Sequence, residues 1–143
     1  MTKYERLLDD IELSGIYYVR TNGSKSSTQS MESDGECAIF IEEGAFETDA
    51  DRTVASAHEK GHCDSGAFYT VHTPFETRGR CERRAWKRAI AELIPFDELM
   101  DAVDACRTVD GVTVYDLAEH LSVTPEFVTQ AVEQYVIWGK MIL

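Results

Sequence analysis

Basic residues are scarce in this chain: 14 Lys and Arg stand against 26 Asp and Glu, a net charge of −12. So acidic a surface repels nucleic acid and anionic membranes unless its few cations cluster. No apolar run approaches the ~20 residues of a membrane-spanning helix, and residues 1–10, MTKYERLLDD, contain no hydrophobic signal core. The expectation is a cytoplasmic protein of a bacterial or phage-infected cell. No CxxC pair occurs among Cys37, Cys63, Cys81 and Cys106. In a reducing compartment that predicts free thiols, and neither Cys63 nor Cys81 is expected to ligate a metal. No internal repeat is visible. A length of 143 residues with 43% hydrophobic content fits one globular unit with a modest core and a small appendage.

The hydrophobic pattern predicts a mostly helical α+β chain. Tyr4, Leu7, Leu8 and Ile11 mark a first helix, and residues 16–19 a brief strand. Residues 21–35 (TNGSKSSTQSMESDG) are almost without apolar side chains and are expected to form a mobile loop. Residues 37–41 (CAIFI) are the best strand in the chain, placed either at a sheet edge or inside. Asp49 and Asp51 are cap candidates for a helix whose inner face runs Val54, Ala55, His58, His62. A helix over residues 80–93 follows, with Glu82 at the head of the face Ala85, Trp86, Ala89, Ile90, Leu93 and Pro95 as its stop. A further helix carries Phe96, Leu99, Met100 and Val103, and residues 114–135 read as helix–turn–helix. The expected division is 1–106 for the main domain and 107–143 for a small helical module.

Residues 57–62, AHEKGH, carry the chemistry. His58 and His62 are four apart, so a helix puts both imidazoles on one face within reach of one zinc ion. Glu59 lies beside the metal, where it can act as a general base on water. A third ligand is needed, with one position left open. Glu82 is the strongest candidate, because a carboxylate heading an apolar face is costly unless paired or metal-bound; Asp64 and His72 compete. Tyr69 and His72, in the connector between the two helices, are candidates to steady a developing oxyanion.

The segment HEKGH followed by ERRAWKRAIAELIP resembles the ImmA/IrrE-type metallopeptidases. That family has HExxH on one helix and, on the next, a Glu opening a pattern matched here by Glu82, Ala85, Leu93, Ile94 and Pro95. The resemblance implies a zincin-like fold of gluzincin type, with His58, His62 and Glu82 as zinc ligands and Glu59 as base. It also implies a narrow-specificity endopeptidase that cleaves a helix–turn–helix repressor, as antirepressors of phages and mobile elements do. The chain departs from the family at Lys60, where an apolar residue is common, and in its long polar segment 21–35.

Two features invite over-reading. Arg78, Arg80, Arg83, Arg84, Lys87 and Arg88 could steer an acidic substrate, but such runs are more often the solvated back of a helix. The C-terminal helix pair resembles a DNA reader only in outline: residues 126–135 contain no Lys or Arg but do contain Glu126 and Glu133. No direct nucleic-acid binding is expected, and His120 reads as a surface or packing residue. The rival to the peptidase is a non-catalytic protein that neutralises a repressor by binding it, with zinc structural or absent. A DNA-binding regulator is the third reading.

Overall fold

The Thr2 hydroxyl accepts from the Glu5 amide while the Glu5 carboxylate takes the Thr2 amide, and this capping box starts the first helix. The computed structural model describes residues 1–23 and 26–141. Ser24 and Lys25 of the expected loop, and Ile142 and Leu143 of the expected C-terminal module, lie outside the described residues. Among the described residues the order is α1 (Lys3–Leu13), β1 (Tyr17–Arg20), β2 (Thr28–Ser33), β3 (Glu36–Ile41), a 3-10 turn (Glu43–Ala45), α2 (Asp49–Ser65), α3 (Phe75–Leu93), α4 (Phe96–Cys106), α5 (Val114–Leu121) and α6 (Pro125–Ile137). The chain is α+β, mostly helical with one small sheet. No helix among these residues is long and apolar enough to cross a membrane.

The sheet departs from expectation. Its order is β1-β3-β2, so β3 is the interior strand. It pairs parallel with β1, from Tyr17↔Ala38 to Arg20↔Ile41, and antiparallel with β2, from Thr28↔Ile41 to Ser33↔Glu36. Part of the segment expected as a mobile loop is therefore the edge strand β2. Its period-2 alternation is real, with Thr28 and Ser30 half-buried and Gln29 and Met31 exposed. The inward positions carry hydroxyls, so a hydrophobic pattern cannot reveal them. Asp34 and Gly35 both take left-handed φ, 53° and 80°, and close β2 onto β3 as a two-residue hairpin turn.

Two units emerge from the packing, Met1–Ala89 and Ile90–Leu143. In the first, Tyr4, Leu7 and Ile11 of α1 are buried, as are Ile39 and Ile41 of β3, and α2 packs against α1, β2 and β3. Helix α2 is capped by Thr48, whose hydroxyl accepts from the Asp51 amide; Asp49 and Asp51 occupy the first turn, where carboxylates favour the helix dipole. Gly66 ends the helix at φ 67°. The buried residues are Thr53, Ser56, Ala57, Glu59, Lys60, Gly61 and His62, with Val54 and Ala55 only half-buried. Small and polar side chains occupy these positions because neighbours come close. Tyr18 shares hydrogen bonds with Ser56 (2.8 Å) and Tyr4 (2.7 Å), and Lys60 is buried with its ammonium 2.6 Å from Asp64 Oδ2.

Cys37 of β3 and Cys63 of α2 form a disulfide, which corrects the expectation of four free thiols; Cys81 and Cys106 are free. The packing of α2 on β3 brings the two Cα atoms to 5.9 Å, within disulfide span. No local spacing rule could reveal a pair 26 residues apart.

In the second unit α4 packs against α5 and α5 against α6. The contacts thus divide the chain after Ala89, earlier than the boundary expected after Cys106, because α4 sides with the helices that follow it. Thr113 and Thr124 cap α5 and α6, Ser122 turns the chain at φ 59°, and Pro125 opens α6. Tyr135 donates to the Ile94 carbonyl at 2.6 Å.

Candidate metal centre

Helices α2 and α3 touch backbone to backbone at one point. A Cβ added to Gly61 would lie 2.9 Å from the Cα and carbonyl carbon of Ala85, and closer still to its oxygen. Only glycine permits that approach. It brings Glu82, one turn before Ala85 on α3, opposite the two histidines of α2. Helix α3 itself starts at Phe75, earlier than the expected position 80.

His58, His62 and Glu82 form a group able to hold a metal ion, with one ligand atom from each lying within 4.8 Å of the others. His58 Nε2 is 2.7 Å from Glu82 Oε2, and His62 Nε2 is 3.1 Å from Glu82 Oε1. The carboxylate can only accept, so each contact holds either a proton or a metal ion between nitrogen and oxygen. The other nitrogen of His62, Nδ1, donates to the Ala67 carbonyl at 2.6 Å. This fixes the ring with Nε2 turned to the group, the orientation a metal-ligating histidine requires. Two imidazoles and one carboxylate are a donor set that suits zinc and leaves a position open.

Glu82 keeps its charge. Burial pushes its carboxyl up, but the hydrogen bond from Tyr69 (2.8 Å) and the adjacent His58 and His62 outweigh burial and hold it below its ordinary value. In return that hydrogen bond, with some burial, pushes the Tyr69 phenol up.

Glu59 is buried and points to the same cleft without joining the ligand group. Its Oε1 accepts from Ser30 Oγ at 2.9 Å, and its Oε2 stands 3.8 Å from His58 Nδ1. The cleft, about 300 Å³, is lined by Thr28, Gln29 and Ser30 of β2, His58, Glu59 and His62 of α2, Phe68 and Tyr69 of the connector, and Glu82 of α3.

Of the residues singled out from the sequence, His58, Glu59, His62, Tyr69 and Glu82 converge here. His72 does not line the cleft; it is exposed, and its amide donates to Thr70 Oγ1. Asp64, a competing ligand, is engaged by Lys60. In the basic run, Arg78 ties down the connector through the carbonyls of Val71 and Thr73, while Arg80, Arg83, Arg84, Lys87 and Arg88 are exposed. Sequence reasoning missed Ser30, although Asp34-Gly35 signals the hairpin that carries it. It also gave Trp86 no role beyond packing, although Trp86 follows Glu82 by one helical turn.

Comparison with protein-family profiles, characterised proteins and solved structures returned no match. The resemblance to ImmA/IrrE-type metallopeptidases therefore rests on HEKGH, Glu82 and the residues after it.

Proposed function

We propose that the chain is a zinc-dependent endopeptidase of narrow specificity with a gluzincin-type core. The observation that carries this reading is the placement of Glu59. It is a buried carboxylate beside the His58–His62–Glu82 group but not part of it, with one oxygen held by Ser30. A structural metal site needs no such group, whereas hydrolysis needs a base.

His58, His62 and Glu82 would hold the zinc, which would supply Lewis-acid polarisation of the scissile carbonyl and acidify water. Glu59 takes a proton from the attacking water and returns it to the leaving amide nitrogen. The Tyr69 hydroxyl, at the cleft wall, turns from Glu82 to donate to the oxygen that becomes negative. Among the described residues β2 is an edge strand of the sheet and lines the cleft, where an extended peptide could pair with it. The substrate we assign, on the family resemblance, is a helix–turn–helix repressor in the cytoplasm. In α6 the exposed positions include Glu126, Thr129 and Glu133, which supports a packing or docking role for the C-terminal helices and disfavours contact with DNA.

The test compares wild type with Glu59→Gln, which keeps the ligand set. Both are loaded with zinc and incubated with a proteome-derived peptide library and with a candidate repressor. Cleavage at one or a few sites by wild type alone is the expected result. Retained zinc, binding of the repressor by both proteins and cleavage by neither would replace the peptidase with a stoichiometric binder.

A further inference from the structure

The two histidines of the group are oriented by different means. His62 is fixed through a hydrogen bond from Nδ1 to the Ala67 carbonyl. His58 Nδ1 stands 3.8 Å from Glu59 Oε2, beyond hydrogen-bond length. Its ring lies instead flat against the indole of Trp86, with centroids 4.2 Å apart and planes at 17°. Trp86 and Glu82 are four apart on α3 and so share a face. Glu82 meets the nitrogen edge of His58 at 2.7 Å while Trp86 covers its face.

From this geometry we infer that Trp86 is the positioning residue for His58 in metal binding, doing with a π-face what the Ala67 carbonyl does for His62 with a lone pair. Two effects combine. The indole face holds the plane of the imidazole, and with the plane fixed the Glu82 contact at 2.7 Å keeps the Nε2 edge turned to the group. An imidazole also gains positive character when its nitrogen binds a cation, and the negative face of an indole favours a ring so charged. Trp86 thus stabilises the ligated form over the free one. Its role differs from that of a core residue, which would add the same stability to both. The inference rests on the metal-site reading, and the test separates the two.

Zinc affinity is measured by competition with a chromophoric chelator for wild type, His58→Ala, Trp86→Ala, Trp86→Leu and Trp86→Phe, each checked for folding by circular dichroism. Wild type is expected to bind one zinc and His58→Ala to lose it. Trp86→Ala and Trp86→Leu should weaken binding ten- to a hundredfold, the range for partners that orient a ligand. Trp86→Phe, which keeps an aromatic face, should stay within about threefold of wild type. Leucine fills space without a π-system, so affinity in Trp86→Leu equal to wild type would overturn the inference while leaving the metal site standing. Wild type that binds no zinc would remove the site and the inference together.

A second readout needs no change at position 86. Trp138 is the other tryptophan. In a Trp138→Phe background, one equivalent of cobalt(II) should quench most of the Trp86 emission, and prior zinc should prevent it. Emission unchanged with cobalt stoichiometrically bound would overturn the inference even if the Trp86→Ala and Trp86→Leu proteins fail to fold.

Discussion

Ser30 Oγ donates to Glu59 Oε1 across 2.9 Å, a bond from the edge strand of the sheet to the helix that carries both histidines. The other oxygen, Oε2, stands 3.8 Å from His58 Nδ1 and on the peptidase reading is the one that takes the proton. If the chain is a peptidase, Ser30→Ala should lower kcat on cleaved library peptides roughly ten- to a hundredfold, since a hydrogen bond to a charged group is worth roughly 1.5–3 kcal/mol. KM and zinc content should stay as in wild type, and Ser30→Thr, which keeps the hydroxyl, should recover most of the rate. A loss confined to KM would assign Ser30 to substrate binding instead.

Gly61 is the second sensitive point. Gly61→Ala drives a methyl group into the Ala85 backbone, and overpacking of this kind costs about 1–3 kcal/mol. Relief requires α3 to move away from α2, taking Glu82 from the histidines. Urea denaturation should therefore show lost stability and chelator competition a weaker zinc site in the same variant. Reduced stability with unchanged zinc affinity would show that the strain is absorbed elsewhere.

The disulfide between Cys37 and Cys63 closes a separation of 26 residues, for which the chain-entropy estimate is about 3–4 kcal/mol. Dithiothreitol should lower the urea midpoint of wild type by a corresponding amount and leave a Cys37→Ser/Cys63→Ser double variant unaffected. Equal midpoints for oxidised and reduced wild type would mean that the bond contributes nothing to stability.

Glu82 gives a pH dependence of defined sign. Its folded-state carboxyl lies below the ordinary value of 4.5, so its contribution is fully present above that pH and is lost as pH falls through the lower folded value. In a metal chelator, wild type should lose more stability than Glu82→Gln between pH 5 and the acid limit. Parallel curves would show that the carboxylate contributes no pH-dependent stability.

The helices were legible in the sequence wherever apolar faces were periodic, as with Tyr4, Leu7 and Ile11 of α1. The group able to hold a metal ion was legible because i, i+4 spacing and the isolated carboxylate of Glu82 are local signals. Strand β2 was not, since its half-buried positions are Thr28 and Ser30. On α2 the expected inner face held at His62, which is buried, but not at Val54 and Ala55, for a related reason. Close approach selected Ser56 and Gly61 over Val54 and Ala55, and buried Lys60 beside Asp64. The Ser30–Glu59 bond, the His58–Trp86 stack and the Cys37–Cys63 bridge join residues 29, 28 and 26 positions apart, and tertiary contacts of that kind leave no periodicity to read.

The bridge also has a topological consequence. Cys37 and Cys63 make a closed ring of the chain between them, and His58, Glu59 and His62 lie on that ring while Ser30, Tyr69 and Glu82 are outside it. Exposed Gly44 and Glu47 sit on the same ring, before α2 begins. A protease that nicks the chain there opens the ring without separating its ends, and the sheet strand and the histidine helix stay covalently joined. The nicked protein migrates as one species until a thiol reductant divides it in two.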